Sequence, residues 1–187
     1  MTEDDFQNEK LEEAKRHLRH TFFSSIGQAI SMWGSMENIL VSIASLLLDT
    51  DPDKAGLIFY SIQNMHVWLN IVDDLFSIDT VFSDKRKEWT KISDRLRGLN
   101  DMRVRIAHHT YWHRGKDDEH PTLAAAPLDT RTKSKKYEPL TPEQIVDFIE
   151  TVAQISESLN NDLFGPMTKQ WIALRRKRAR LPNDPPQ

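Results

Sequence analysis

From Leu11 to Leu47 the apolar residues recur at Ala14, Leu18, Phe22, Ile26, Ala29, Trp33, Met36, Leu40 and Ile43, every step three or four residues. Only a helix keeps such positions together, because about 3.6 residues per turn returns the chain to one face at those intervals. The stripe runs for about ten turns. Ser24, Ser25 and Gly27 interrupt it midway with residues that permit a kink, which predicts two helices here rather than one. Gly27 and Gly34 share a face, so close approach of a second helix and ordinary tolerance of glycine are both open readings.

The same periodicity continues along the chain. Asp51 and Pro52 form a cap followed by a proline at the first helical position, predicting a helix from there to Phe76. Ile58, Ile62, Met65, Leu69, Val72 and Phe76 make one stripe. Leu57, Tyr60, Trp68, Ile71 and Leu75 cover the adjoining flank, so little of this helix is expected to face water: it is either the central core helix or one that meets a second subunit. Ser83 is expected to cap a helix carrying Trp89, Ile92, Leu96, Leu99 and Ile106, whose stripe continues from Leu99 to Arg103. A charge on a core-facing line needs a partner or a cleft. Tyr111 to Thr141 loses the helical period and holds Pro121, Pro127 and Pro139, which predicts a long irregular loop with room for a small hairpin. Thr141 and Pro142 then start a helix through Ile145, Phe148, Ile149, Val152, Ile155, Leu159 and Leu163. Pro166 opens a terminal helix that ends in the basic run Arg175–Arg180. The expected architecture is all-α, four to five helices in one domain over residues 1–181, with the long loop before the penultimate helix and a disordered tail at 182–187.

Composition narrows the function classes. With six glycines in 187 residues the chain falls well below the usual share of about 7%, which disfavours sandwiches and barrels of many short strands. It has no cysteine, so disulfides, thiolate metal sites and cysteine nucleophiles are excluded and a reducing, cytoplasmic compartment is the expectation. The longest stretch free of Asp, Glu, Lys and Arg, Ala55–Val72, carries Ser61, Gln63, Asn64, His66 and Asn70 and is not expected to span a membrane. Met1–Asp5 is acidic where a leader peptide starts basic, so no export signal is expected. A net charge of −3 leaves any polyanion partner to a local patch.

That patch is the segment Arg95–Gly115, where Arg95, Arg97, Arg103, Arg105 and Arg114 stand against one acid, Asp101, for a local charge of +4 with His108, His109 and His113 neutral. A phosphate would be drawn to it. Cations also gather at helix C-termini because they complement the macrodipole, and Arg105, His108 and His109 satisfy that rule alone. The string Asn100-Asp101-Met102-Arg103-Val104-Arg105-Ile106-Ala107-His108 resembles the R-x4-6-H motif of the HEPN superfamily, often seen as R-N-x-x-A-H near a helix end. Trp33-Gly34-Ser35-Met36-Glu37-Asn38-Ile39-Leu40 is similar to the W-x-x-x-E-x-x-L stretch in a long helix of many HEPN-like bacterial proteins.

The resemblance implies an antiparallel up-and-down helical bundle that dimerises and brings Arg/His pairs together in an interfacial cleft, where active members cleave RNA without a metal. Carried over, Arg103 is the arginine that binds the scissile phosphate and His108 the histidine that moves protons. Asn100, Asp101, Arg105, His109 and Glu37 are the supporting or phosphate-binding candidates. The chemistry is coherent, because an imidazole can act as acid or base near neutrality and a guanidinium offers a planar fork to phosphate oxygens. The resemblance implies no cofactor, a homodimer, RNA as substrate and an antitoxin-like protein as a partner of toxin or defence members. Val104 stands where active members often carry a polar residue, which keeps a non-catalytic dimeric interaction or regulatory module as the alternative.

Residue geometry adds a condition. Five residues apart on a regular helix, Arg103 and His108 lie about 140° from one another. They converge only if the helix unwinds near Ala107 or a second copy supplies half of each pair. Asp101, Arg105 and His108 share a face and also read as an exposed ion-pair row. Glu37 could pair with Arg103 and account for the arginine without catalysis. His108, His109, His113 and His120 with Asp117, Asp118 and Glu119 match no standard ligand spacing, so no metal is expected. Arg175–Arg180 reads either as an RNA contact or as a basic helix end.

Overall fold

The computed structural model describes residues 3–112, 122–124 and 139–180. The fold is all-α. In chain order it comprises α1 (Glu3–Leu47), α2 (Pro52–Tyr60), α3 (Met65–Ile78), α4 (Arg86–His108), α5 (Pro142–Ser158) and α6 (Gly165–Arg180). Two short strands, β1 (Thr110–Trp112) and β2 (Thr122–Ala124), pair antiparallel with Tyr111 opposite Leu123, so a hairpin does open the predicted loop. Residues 113–121 and 125–138 of that loop, and the tail at 182–187, lie outside the described residues.

The expected break in α1 does not occur. The helix runs unbroken for 45 residues, and the Ser25 hydroxyl donates to the Thr21 carbonyl at 3.1 Å instead of ending the turn. A single interior glycine costs only about 1 kcal/mol, too little to interrupt a continuous packing stripe. Among the described residues, a Cβ added at Gly27 or Gly34 would meet nothing within 4 Å, so neither marks a close approach of another described part of the chain. α1 is long and apolar enough to cross a membrane by length and composition, a property shared by core helices. Its buried residues Ala29, Trp33, Met36, Leu40, Ile43 and Ala44 follow the stripe of a core helix. At its end Thr50 N–H donates to the Ser45 carbonyl and Asp49 N–H to the Leu46 carbonyl, a Schellman closure with Asp49 in the left-handed region at φ 47°.

One helix from Pro52 to Phe76 is also corrected: the chain forms two, α2 and α3. Asp51 caps α2 through the Asp53 N–H at 2.9 Å, as its sequence predicts. After Tyr60 the chain leaves the helix, and Asn64 starts a new one by accepting from the His66 N–H at 2.9 Å. The Trp68 indole donates to the Ile62 carbonyl at 2.8 Å, satisfying a carbonyl the break would strand. With the helix divided, Ile58 of the stripe and Leu57 and Tyr60 of the flank are exposed on α2, Leu57 at 75%, so α2 is not a core helix covered on all sides within one chain. Before α4, the Asp79 carboxylate accepts from the Phe82 N–H at 2.6 Å, whereas the Ser83 hydroxyl turns back to the Thr80 carbonyl. Ser83 therefore begins a short 3₁₀ turn and caps nothing.

α5 starts as its sequence predicts. The Thr141 hydroxyl accepts from the Gln144 N–H at 3.2 Å and the Gln144 side chain accepts from the Thr141 N–H at 2.9 Å, a reciprocal capping box. The expected terminal helix is present as α6, which begins at Gly165 with Pro166 in its first turn and follows α5 without an intervening loop. A π-helical turn, Leu159–Phe164, joins α5 to α6, and the Gly165 N–H reaches back to the Asn160 carbonyl. This wider turn accommodates a proline ring that would otherwise clash with the preceding turn. A Cβ at Gly165 would sit 3.0 Å from that carbonyl, so the residue there is glycine for space.

The chain divides into two compact units, each discontinuous in sequence. One takes residues up to Gly34 with Leu99–Ala153; Phe22, Ala29, Trp33, Ile106, Ile145, Phe148 and Val152 are buried in it, with the Trp33 and Phe148 rings stacked 5.8 Å apart. The other takes Ser35–Gly98 with residues from Gln154 onward; Leu40, Phe59, Leu69, Phe76, Trp89, Leu96, Leu159 and Met167 are buried there, and Phe76 stacks on Trp89 at 5.5 Å. The helices α1, α4 and α5 each contribute to both.

Candidate functional site

α4 carries the candidate residues. Trp89, Ile92, Leu96 and Ile106 are buried along it and Asn100 is buried as well. Arg103, three residues from Asn100 and three from Ile106, shares their face and is half-buried. The arginine that the stripe places on the core-facing line is therefore there. His108 is the last residue of α4 and is exposed.

The helix does not unwind near Ala107. Its regular pattern holds through the end, with the His109 N–H donating to the Arg105 carbonyl at 2.9 Å. Arg103 and His108 of one chain consequently stay about 140° apart around α4 and are not brought together. Asp101, Arg105 and His108 do share a face, Asp101 and His108 exposed and Arg105 half-buried. Arg105 and His108 occupy the last turn, where positive charge offsets the carbonyl end of the macrodipole. His109 follows the helix and is half-buried; Glu37 is half-buried on α1. Val104 is half-buried too. His113, His120, Arg114, Asp117, Asp118 and Glu119 lie outside the described residues. Among the described residues no group of three or more His, Asp or Glu is placed to hold a metal ion.

Two arrangements were missed in the sequence. Asp73 on α3 gathers three donors from α4: the Trp89 indole at 2.6 Å, the Ser93 hydroxyl at 3.4 Å and the Arg97 guanidinium. Arg97 is thereby committed to structure, and the positive field of the segment is smaller than its arginine content implies. The signal was present, since Asp73 lies four residues after Leu69 and three before Phe76 on an otherwise apolar line, where an acid needs a partner. The second arrangement is at Asp49. Its carboxylate accepts from the Trp171 indole at 2.9 Å and pairs with Arg175 at 3.4 Å and Arg178 at 3.7 Å, while the Arg175 guanidinium lies 4.0 Å above the Trp171 ring. The Trp171 hydrogen bond, with the arginine charges behind it, holds this carboxyl below the ordinary aspartate range. Part of the basic run is thus tied down at the end of α1, while Arg176 and Lys177 remain exposed.

Between α1 and α2 lies an open groove of about 690 Å³ lined by Asn38, Val41, Gly56, Leu57 and Tyr60. The Tyr60 hydroxyl donates to the Asn38 side chain at 2.5 Å, and burial, reinforced by the Glu37 charge, pushes its phenol above the ordinary value. A protonated phenol held in this way is a poor base at neutral pH. Compared with family models, with curated proteins and with solved structures, the chain gives no match to any of the three.

Proposed function

We propose that the chain is an HEPN-like protein acting as a metal-independent endoribonuclease, with each active site completed by two copies. The observation that carries this reading is Arg103: a half-buried arginine on the core-facing line of α4, five residues before the exposed His108. In the proposed site, Arg103 of one copy holds the non-bridging oxygens of an RNA phosphate and His108 of the other takes the proton of the neighbouring 2′-hydroxyl. The 2′-oxygen attacks phosphorus, the 5′-oxygen leaves and takes up a proton, and a 2′,3′-cyclic phosphate remains. Asn100, Asp101, Arg105 and His109 are supporting groups around the reacting phosphate, and Glu37 is a candidate on α1. An antitoxin-like protein is the proposed regulatory partner and the cytoplasm the proposed compartment.

A second reading is a dimeric interaction or regulatory module without catalysis. It is favoured by the regular helix up to His108, which keeps Arg103 and His108 apart within one chain, and by the apolar Val104. RNA incubated with purified protein in EDTA separates the two. The nuclease reading expects cleavage that survives chelation, yields cyclic phosphate ends and falls at least about a hundredfold in Arg103→Ala and in His108→Ala. Intact RNA at large enzyme excess rejects it in favour of the module.

A further inference from the structure

The first part of α1 stands exposed along its length. From Asp5 to Thr21 every residue is exposed except the half-buried Lys15, and burial begins only at Phe22. Along this stretch Leu11, Ala14 and Leu18 continue the apolar line of the buried part of the helix, yet Leu11 is 53% and Leu18 39% exposed. A helix of such length standing on its own is marginal in water, so its apolar line calls for cover.

The charges beside that line indicate what covers it. On one flank Asp5, Glu9 and Glu12 come first and Lys15, Arg16 and Arg19 follow, so the sign reverses between Ala14 and Lys15. Turning a second copy end over end about that point sets Leu11 opposite the partner's Leu18. The same rotation sets the acidic half opposite the partner's basic half on the same flank. Each contact is then made twice, as a two-fold interface requires. A parallel pairing would instead set acid on acid and base on base, which is unfavourable. The exposed Glu12 to Lys15 ion pair, at 3.0 Å, shows that these side chains reach one another across the reversal point within one chain.

We infer that residues 5–21 of α1 form a self-complementary surface on which a second copy of this chain docks antiparallel, centred between Ala14 and Lys15. The inference does not rest on the Arg103/His108 chemistry, and its test reads α1 alone while RNA cleavage reads α4.

The absence of cysteine makes the geometry measurable with introduced thiols in the full chain. Under mild oxidation Ala14→Cys is expected to cross-link into dimers, as is the double variant Leu11→Cys/Leu18→Cys. Leu11→Cys alone is expected not to, because antiparallel pairing separates the two thiols by about seven residues, or roughly 10 Å along the helix. In the Ala14→Cys background, Glu9→Lys/Glu12→Lys is expected to slow cross-linking at least about tenfold, and adding Arg16→Glu/Arg19→Glu to restore it to within about threefold. Circular dichroism checks that each variant keeps its helix content. Cross-linking by Leu11→Cys alone, which reports a parallel pair, overturns the inference. So does failure of Ala14→Cys to cross-link, or failure of the second charge reversal to rescue the first. RNA binding by this segment in a chain that yields no cross-link also overturns it.

Discussion

Asp49 holds a left-handed backbone conformation that a glycine would adopt freely, and its side chain is the reason to have an acid there. The carboxylate anchors Trp171, Arg175 and Arg178 of α6 to the end of α1. Because the folded state keeps this group below the ordinary aspartate range, its contribution to stability is complete above that range and is lost as pH falls through the folded value. Asp49→Asn tolerates the same backbone and removes the charge. The melting temperature of wild type is expected to exceed that of the variant near neutrality and to converge with it in acid; a gap that persists at low pH contradicts this role. Arg103 differs in kind. It was legible in the sequence because the step from Leu99 lands on it, whereas Asp49 was not, since its partners lie more than a hundred residues away and no local pattern announces them.

At the level of elements, local signals differ in how far the structure keeps them. α5 was legible because its stripe follows directly on the Thr141–Pro142 start, which the structure completes with the Thr141–Gln144 capping box. The division of α2 from α3 was not, because Ile58, Ile62 and Met65 keep helical spacing across a gap that Asn64 and the Trp68 indole close. The supposed break in α1 erred the other way, with Ser25 satisfied inside the helix. The α3–α4 pairing through Asp73 yields a stability prediction. Asp73→Ala strands the Trp89 indole and the Arg97 guanidinium and is expected to cost about 2 kcal/mol in urea unfolding. Asp73→Asn, which retains an acceptor, is expected to recover part of that. Equal loss in both variants would show that the carboxylate charge, and not the hydrogen bond to Trp89, carries the contact.

For the whole molecule the question is whether function needs two chains. The all-α class was legible from periodicity, and so was the clustering of Arg103, Arg105, His108 and His109 near one helix end. What no single chain supplies is convergence of Arg103 with His108, because α4 stays regular to its last residue. The proposed site accordingly belongs to a pair. Mixing Arg103→Ala with His108→Ala, each inactive alone, tests this most directly: a shared site predicts that subunit exchange restores about a quarter of wild-type RNA cleavage in EDTA, since half the dimers are mixed and each holds one intact pair. No activity in the mixture, from a wild type that does cleave, would place both residues of each site in the same chain and contradict the account.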